Sequence, residues 1–153
     1  MHAHEELTTP TGHTVRLEGD LTVVTLRGQL TVPDAEQLSA AYEQELQRHR
    51  YLLLLVDLAG SSGATSEARR TLVMWAKPYG TVISAAAYGG SVFVRSFMKL
   101  MSGAVRLLSG KQPALEFFGS EAEARHFLVQ ERGRLQQLVQ ARSSSGGRIQ
   151  TPR

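Results

Sequence analysis

Apolar residues in this chain follow two rhythms and one uninterrupted run. The run is Tyr51-Leu52-Leu53-Leu54-Leu55-Val56-Asp57-Leu58, followed by a Gly/Ser stretch over residues 59–64 that is expected to be a loop. A strand that is apolar at nearly every position is buried on both faces of its sheet, and one that feeds a helix fits a parallel α/β arrangement. Upstream, residues 13–18 and 21–27 alternate about Gly19-Asp20, which predicts a β-hairpin. Thr31-Val32-Pro33-Asp34 then supplies a cap, a first-turn proline and an acid, and Ala35, Leu38, Ala41, Tyr42 and Leu46 recur at helical spacing to about His49.

After the central run, Thr65 or Ser66 can cap a second helix with Ala68, Leu72, Trp75 and Ala76 on one face, stopped by Pro78 and Gly80. Residues 81–88 form a second apolar run, ended by Gly89-Gly90. Residues 91–108 are a helix whose apolar positions exceed the single stripe that one core needs. A short strand over 114–118 and a last helix capped by Ser120 follow, with Ala124, Phe127 and Leu128 facing inward. The order is ββαβαβαβα, an α/β fold with a mixed, mostly parallel five-stranded sheet and about four helices. Residues 1–12 are expected to be a flexible lead-in, 13–141 a single domain with an extended C-terminal helix, and 142–153 a disordered basic tail.

Composition narrows the classes. The chain has 153 residues, 42% of them hydrophobic, which suits one ordinary domain. It contains no cysteine, which excludes disulfide and thiolate chemistry. Arg95, Lys99 and Arg106 break the most apolar segment, so no spanning helix is expected. The first residues are polar and lack the apolar core of a signal peptide, giving the expectation of a cytoplasmic protein. The net charge of +3 is spread along the chain rather than clustered, against a nucleic-acid partner.

Candidate chemistry is sparse. His2 and His4 have no third ligand at a sensible spacing, so no metal is expected. Gly60-Ser61-Ser62-Gly63-Ala64-Thr65 precedes a helix but lacks the Gly-Lys-Ser/Thr ending of a P-loop, and Gly110-Lys111 follows a helix instead of preceding one. Asp57 has no acid or histidine placed beside it by a recognisable spacing, and no Gly-x-Ser-x-Gly elbow occurs. The expectation is a non-enzymatic protein without cofactors.

With Leu55-Val56-Asp57-Leu58-Ala59-Gly60 closing the third strand, and Phe117-Phe118 preceding a helix with Ala122, Ala124, Phe127 and Leu128, the chain resembles the SpoIIAA-like branch of the STAS superfamily over residues 13–129. That resemblance implies the fold of the anti-sigma-factor antagonists and regulation through a protein partner. It places Ser66 where those proteins carry a phosphorylated serine. Thr65 stands in place of their aspartate, Ala59 in place of a serine and Ala68 in place of a glycine.

Independently of the family, a phosphate on Ser66 would meet a helix N-terminus, with Arg69 or Arg70 within reach; equally, Ser66 serves as a cap. Asp57, Ser61, Ser62, Thr65, Ser66, Arg69 and Arg70 are therefore the candidate partner-binding residues. The resemblance also extends to Sec14-type lipid carriers. Phe93, Arg95, Phe97, Met98, Lys99 and Met101 on the over-apolar helix are the candidates for contact with a membrane surface or lipid, the other uses of that helix being core packing and a homodimer contact.

Overall fold

The computed structural model describes residues 6–109 and 114–149. Six strands form one sheet in sequence order: β1 (Glu6–Thr8), β2 (Thr14–Glu18), β3 (Leu21–Leu30), β4 (Leu52–Ala64), β5 (Ile83–Tyr88) and β6 (Ala114–Phe118). The pairs β1–β2 and β2–β3 are antiparallel, and β3 to β6 run parallel. The crossovers carry α1 (Val32–His49), α2 (Ser66–Ala76) with a 3₁₀ turn (Lys77–Val82), and α3 (Val92–Ser109); α4 (Glu121–Ile149) follows β6.

The two faces can be separated by strand alternation. Ser84 and Tyr88 of β5 bond Glu131 and Glu121 of α4, so their parity marks the α4 face. The alternate positions face α1, α2 and α3, which contact one another in sequence and which right-handed crossovers bring to a common side. With helices on both sides, Leu52, Leu53, Leu55 and Leu58 are 0% exposed, and the run reads apolar at every register position for that reason. Ala85, Ala86 and Ala87 on the neighbouring β5 are buried as well, and their small side chains leave room for the helices.

Polar groups lock α4 to the hairpin. Arg125 reaches Glu18 at 2.9 Å, and Arg132 pairs with Asp20 at 2.7 Å. Tyr51 donates its hydroxyl hydrogen to the same Asp20 at 2.6 Å. Hydrogen bonds from Arg125 and Arg16 pull the Glu18 carboxyl down to about 2.

A second lock closes the opposite face. Asp34, 0% exposed, accepts from the backbone N–H groups of Thr11 and Thr31 at 3.0 and 2.9 Å and from both their hydroxyls at 2.6 Å. Burial acts to raise its pKa, yet these bonds outweigh it and hold the carboxyl well below the usual range. Buried His13 joins the knot: its Nδ1 accepts the Arg27 N–H at 3.0 Å, leaving the proton on Nε2, which faces the Gln29 carbonyl at 3.2 Å.

Three expectations are corrected. The sheet has six strands, because Glu6–Thr8 pairs with residues 14–16, and Thr9 is buried; residues 6–9 of the expected lead-in thus belong to the fold, and residues 1–5 lie outside those described. The stretch 59–64 is strand rather than loop, since β4 continues to Ala64 alongside residues 27–30 of β3, with register shifts between Thr25 and Arg27 and between Gly28 and Gln29. The last helix runs to Ile149, through the Ser143 to Gly147 run that composition places in a tail starting at 142, and residues 150–153 of that expected tail lie outside those described.

One backbone feature stands apart. Arg50 closes α1 in the left-handed region at φ 71°, with its N–H on the Leu46 carbonyl at 2.7 Å, and it is the one non-glycine described with positive φ.

These locks and this strained turn can be tested by unfolding. Asp34 and Glu18 have folded pKa values below their unfolded values near 4, so their stabilisation is present above that pH and is lost as pH falls through the folded values. Asp34→Asn should cost about 3 kcal/mol in urea unfolding at pH 7 and flatten the acid limb of the stability profile, because a neutral amide accepts at one oxygen only. Arg50→Gly should raise stability by about 0.5–1 kcal/mol, read as a higher urea midpoint, by relieving the left-handed strain.

Candidate functional site

The sequence candidates gather at the edge of the sheet formed by the carboxyl ends of the parallel strands. Asp57, half-buried on the α4 face, accepts the Ala59 N–H at 2.9 Å and so shapes the exit of β4 from the core. Beyond it the strand turns outward: Ala59, Gly60 and Ser62 are exposed, and Ser61 Oγ accepts the Gly63 N–H at 3.2 Å. The Thr65 N–H reaches back to the Leu30 carbonyl at 3.0 Å, which ties the start of α2 to the end of β3.

At that start the two hydroxyls divide their roles. Thr65 is the N-cap, its Oγ1 accepting the Ala68 N–H at 3.0 Å. Ser66 lies one residue inside, and its Oγ accepts from Arg69 Nη2 at 3.1 Å. Arg70 is exposed one position further on. Ser66 is therefore spared the capping role open to it in the sequence.

The turn from β5 into α3 depends on Gly89 and Gly90. Both have positive φ, at 74° and 80°, and a Cβ on Gly90 would stand 2.7 Å from Leu58 Cβ. Only bare backbone can pass so close to β4 in that conformation. The turn delivers Ser91, whose Oγ accepts the Val94 N–H at 3.1 Å. Val94 is buried, whereas Val92, Phe93 and Leu100 are 72%, 70% and 69% exposed. Arg95 is half-buried, and exposed Lys99 has Nζ 5.7 Å from the centre of the Phe117 ring. Phe97, Met98 and Met101 belong to α3, but their side chains lie outside those described.

The two candidate groups, far apart in sequence, meet here. A Cβ on Gly63 would lie 3.9 Å from the Phe93 ring. The outer end of β4, the first turn of α2 and the exposed stripe of α3 thus make one surface. Val92 and Leu100 are part of it although the sequence did not single them out as contact residues; the surplus of apolar positions in α3 carried the signal.

On the other side of β4, Tyr88 is raised to about 12 by burial and by the nearby carboxylates of Asp57 and Glu121. It is a protonated donor to Glu121 at 3.2 Å, which suits support of the strand end. Among the described residues no cluster of His, Cys, Asp and Glu could hold a metal ion. No described helix is long and apolar enough to cross a membrane.

No protein-family model and no curated protein matches the chain. Solved structures do. An uncharacterised protein of the DUF3478 family with a SpoIIAA-like fold, from Shewanella loihica PV-4, is similar at 16% identity and a TM-score of 0.57, covering 84% of this chain and 98% of its own. The anti-sigma factor antagonist SpoIIAA in its unphosphorylated form is similar at 13% identity and a TM-score of 0.53, covering 83% of this chain and 98% of its own. Element order, parallel core and both superpositions agree: the chain has the SpoIIAA-like fold.

Proposed function

We propose that this protein is a non-enzymatic, cytoplasmic regulatory module that binds a protein partner on the surface made by the outer end of β4, the N-terminus of α2 and the exposed stripe of α3. The observation that carries this reading is the seating of Phe93 beside Gly63 with Val92 and Leu100 in water on the same helix. Large apolar side chains clustered on one helix and joined to an exposed strand end are costly to leave wet and are common in docking surfaces. The likeness in fold to an anti-sigma factor antagonist supports a regulatory role.

Within this reading Asp57, Ser61 and Ser62 shape the strand end, Thr65 caps, and Ser66 with Arg69 and Arg70 supplies the polar rim. A phosphate on Ser66 would add negative charge at the helix N-terminus beside Arg69 and change the partner's affinity. A second reading has one specific observation in its favour: exposed Lys99 stands on the same helix as Phe93 and Leu100, an arrangement that also suits an anionic membrane surface.

Capture of a partner from the native cell extract, with the wild-type chain and variants as bait, tests the surface. Phe93→Asp and Leu100→Asp should each lower recovery at least tenfold, whereas Val129→Asp, on an exposed apolar residue of α4, should leave it unchanged. Equal recovery by all four baits would remove the proposal. Intact-mass analysis after incubation with extract reads Ser66: no modified species at Thr65 or Ser66 would eliminate the phosphate switch. Sedimentation with anionic vesicles at low salt separates the membrane reading, and binding abolished by Phe93→Asp would favour it over the protein partner.

A further inference from the structure

At the opposite end of the sheet, where β4 and β5 begin, an open cleft of about 820 Å³ lies between the last turn of α1, the 3₁₀ turn and α4. That volume is within the range of small-ligand sites. Leu46, Pro78, Tyr79, Val82 and Val139 supply its apolar lining.

Three charged side chains line it: Glu43, Arg50 and Arg142. Glu43 is turned toward α2. Its Oε1 accepts the Trp75 Nε1–H at 2.9 Å, and the Tyr79 hydroxyl lies 3.0 Å from both of its oxygens. Arg142 meets a neutral partner, Nη2 donating to Thr81 Oγ1 at 2.9 Å, so its charge is uncompensated there. The Arg50 side chain has no hydrogen-bond or ion-pair partner among the described residues. Both guanidiniums are exposed and lack a carboxylate partner, and Glu43, whose donors Trp75 and Tyr79 are neutral as well and hold it toward α2, leaves the lining with a net charge of +1.

Arg50 adds an independent indication. It occupies the left-handed position that ends a helix, where glycine is the ordinary residue and a side chain is strained. Strain of this kind concentrates at functional sites. Here it is retained at the residue that brings an unpaired guanidinium to the cleft.

We propose that this cleft binds a small amphiphilic anion, a carboxylate on an acyl-type apolar body, with Arg50 and Arg142 receiving the carboxylate and Leu46, Val82 and Val139 covering the body. Guanidinium groups match carboxylate geometry and form short, charge-assisted bonds with it. The site lies at the far end of the strands from the docking surface and stands or falls independently of it.

The chain carries its own reporter. Trp75, the sole tryptophan, bonds Glu43 and has its ring centre 5.2 Å from that of Tyr79, so its emission reads the cleft wall. Decanoate, titrated below its micellar range at fixed ionic strength into the full chain, should change that emission saturably. Decanol should bind at least tenfold more weakly, and decyltrimethylammonium should give no saturable change. Arg50→Gly and Arg142→Gln should each weaken decanoate at least tenfold, and Arg50→Gly should do so while unfolding at a urea concentration no lower than wild type. The proposal is overturned by absence of a saturable decanoate response, by equal affinity for decanol or the cation, or by unchanged affinity in Arg50→Gly.

Discussion

The exclusion of water from both faces of β4 is the constraint on which the rest of the structure depends. Four leucines of that strand are fully buried, and truncating any one of them to alanine would typically cost about 2–5 kcal/mol. A strand so apolar cannot stand at an edge or tolerate one open face. Two neighbours must pair with it, which β3 and β5 do in parallel, and helices must cover it twice. The crossovers put α1 to α3 on one side, and the helix after β6 is left to cover the other. The length of α4 and its bonds to the hairpin answer that need: Arg125 and Arg132 hold it to Glu18 and Asp20 so that it lies across the leucines.

That logic is written locally, which is why much of the fold was legible in the chain. The run 51–58, the Thr31 to Asp34 helix start and the Gly89-Gly90 turn each declare themselves within a few residues. The failures are tertiary. Glu6–Thr8 has one apolar residue, too little for alternation to register, and becomes a strand because the turn at residues 9–13 lays it beside β2. Gly60, Ser61, Ser62 and Gly63 have turn composition, yet all but Ser62, which is skipped at the register shift, pair with the end of β3, and pairing of this kind overrides propensity. Serines and glycines after residue 142 continue a helix that their intrinsic preferences oppose.

The chemistry was less legible than the fold for a related reason. Asp34 reads in sequence as an ordinary first-turn acid. Its burial and its four donors from Thr11 and Thr31 depend on an N-terminal segment returning to the start of α1. The association of Phe93 with Gly63 depends on two crossovers starting from one edge. Arg50 offered a local signal after all: a helix passes directly into a strand with no glycine between them, so some other residue must take the left-handed turn.

The reach of α4 has a consequence of its own. At about 1.5 Å per residue its 29 residues extend roughly 43 Å, about twice the length of β5. Its inward residues stop near Leu138 and Val139, and the bond from Arg142 to Thr81 is a tie beyond them. Past that point the helix consists largely of serine and glycine, which favour the coil by several tenths to about 1 kcal/mol each. Among the described side chains, Arg142 thus makes the last bond from α4 to the rest of the fold. A carboxylate bound in the cleft as proposed would compete with Thr81 for that guanidinium, and so would act directly on the last of the ties that hold this helix to the fold.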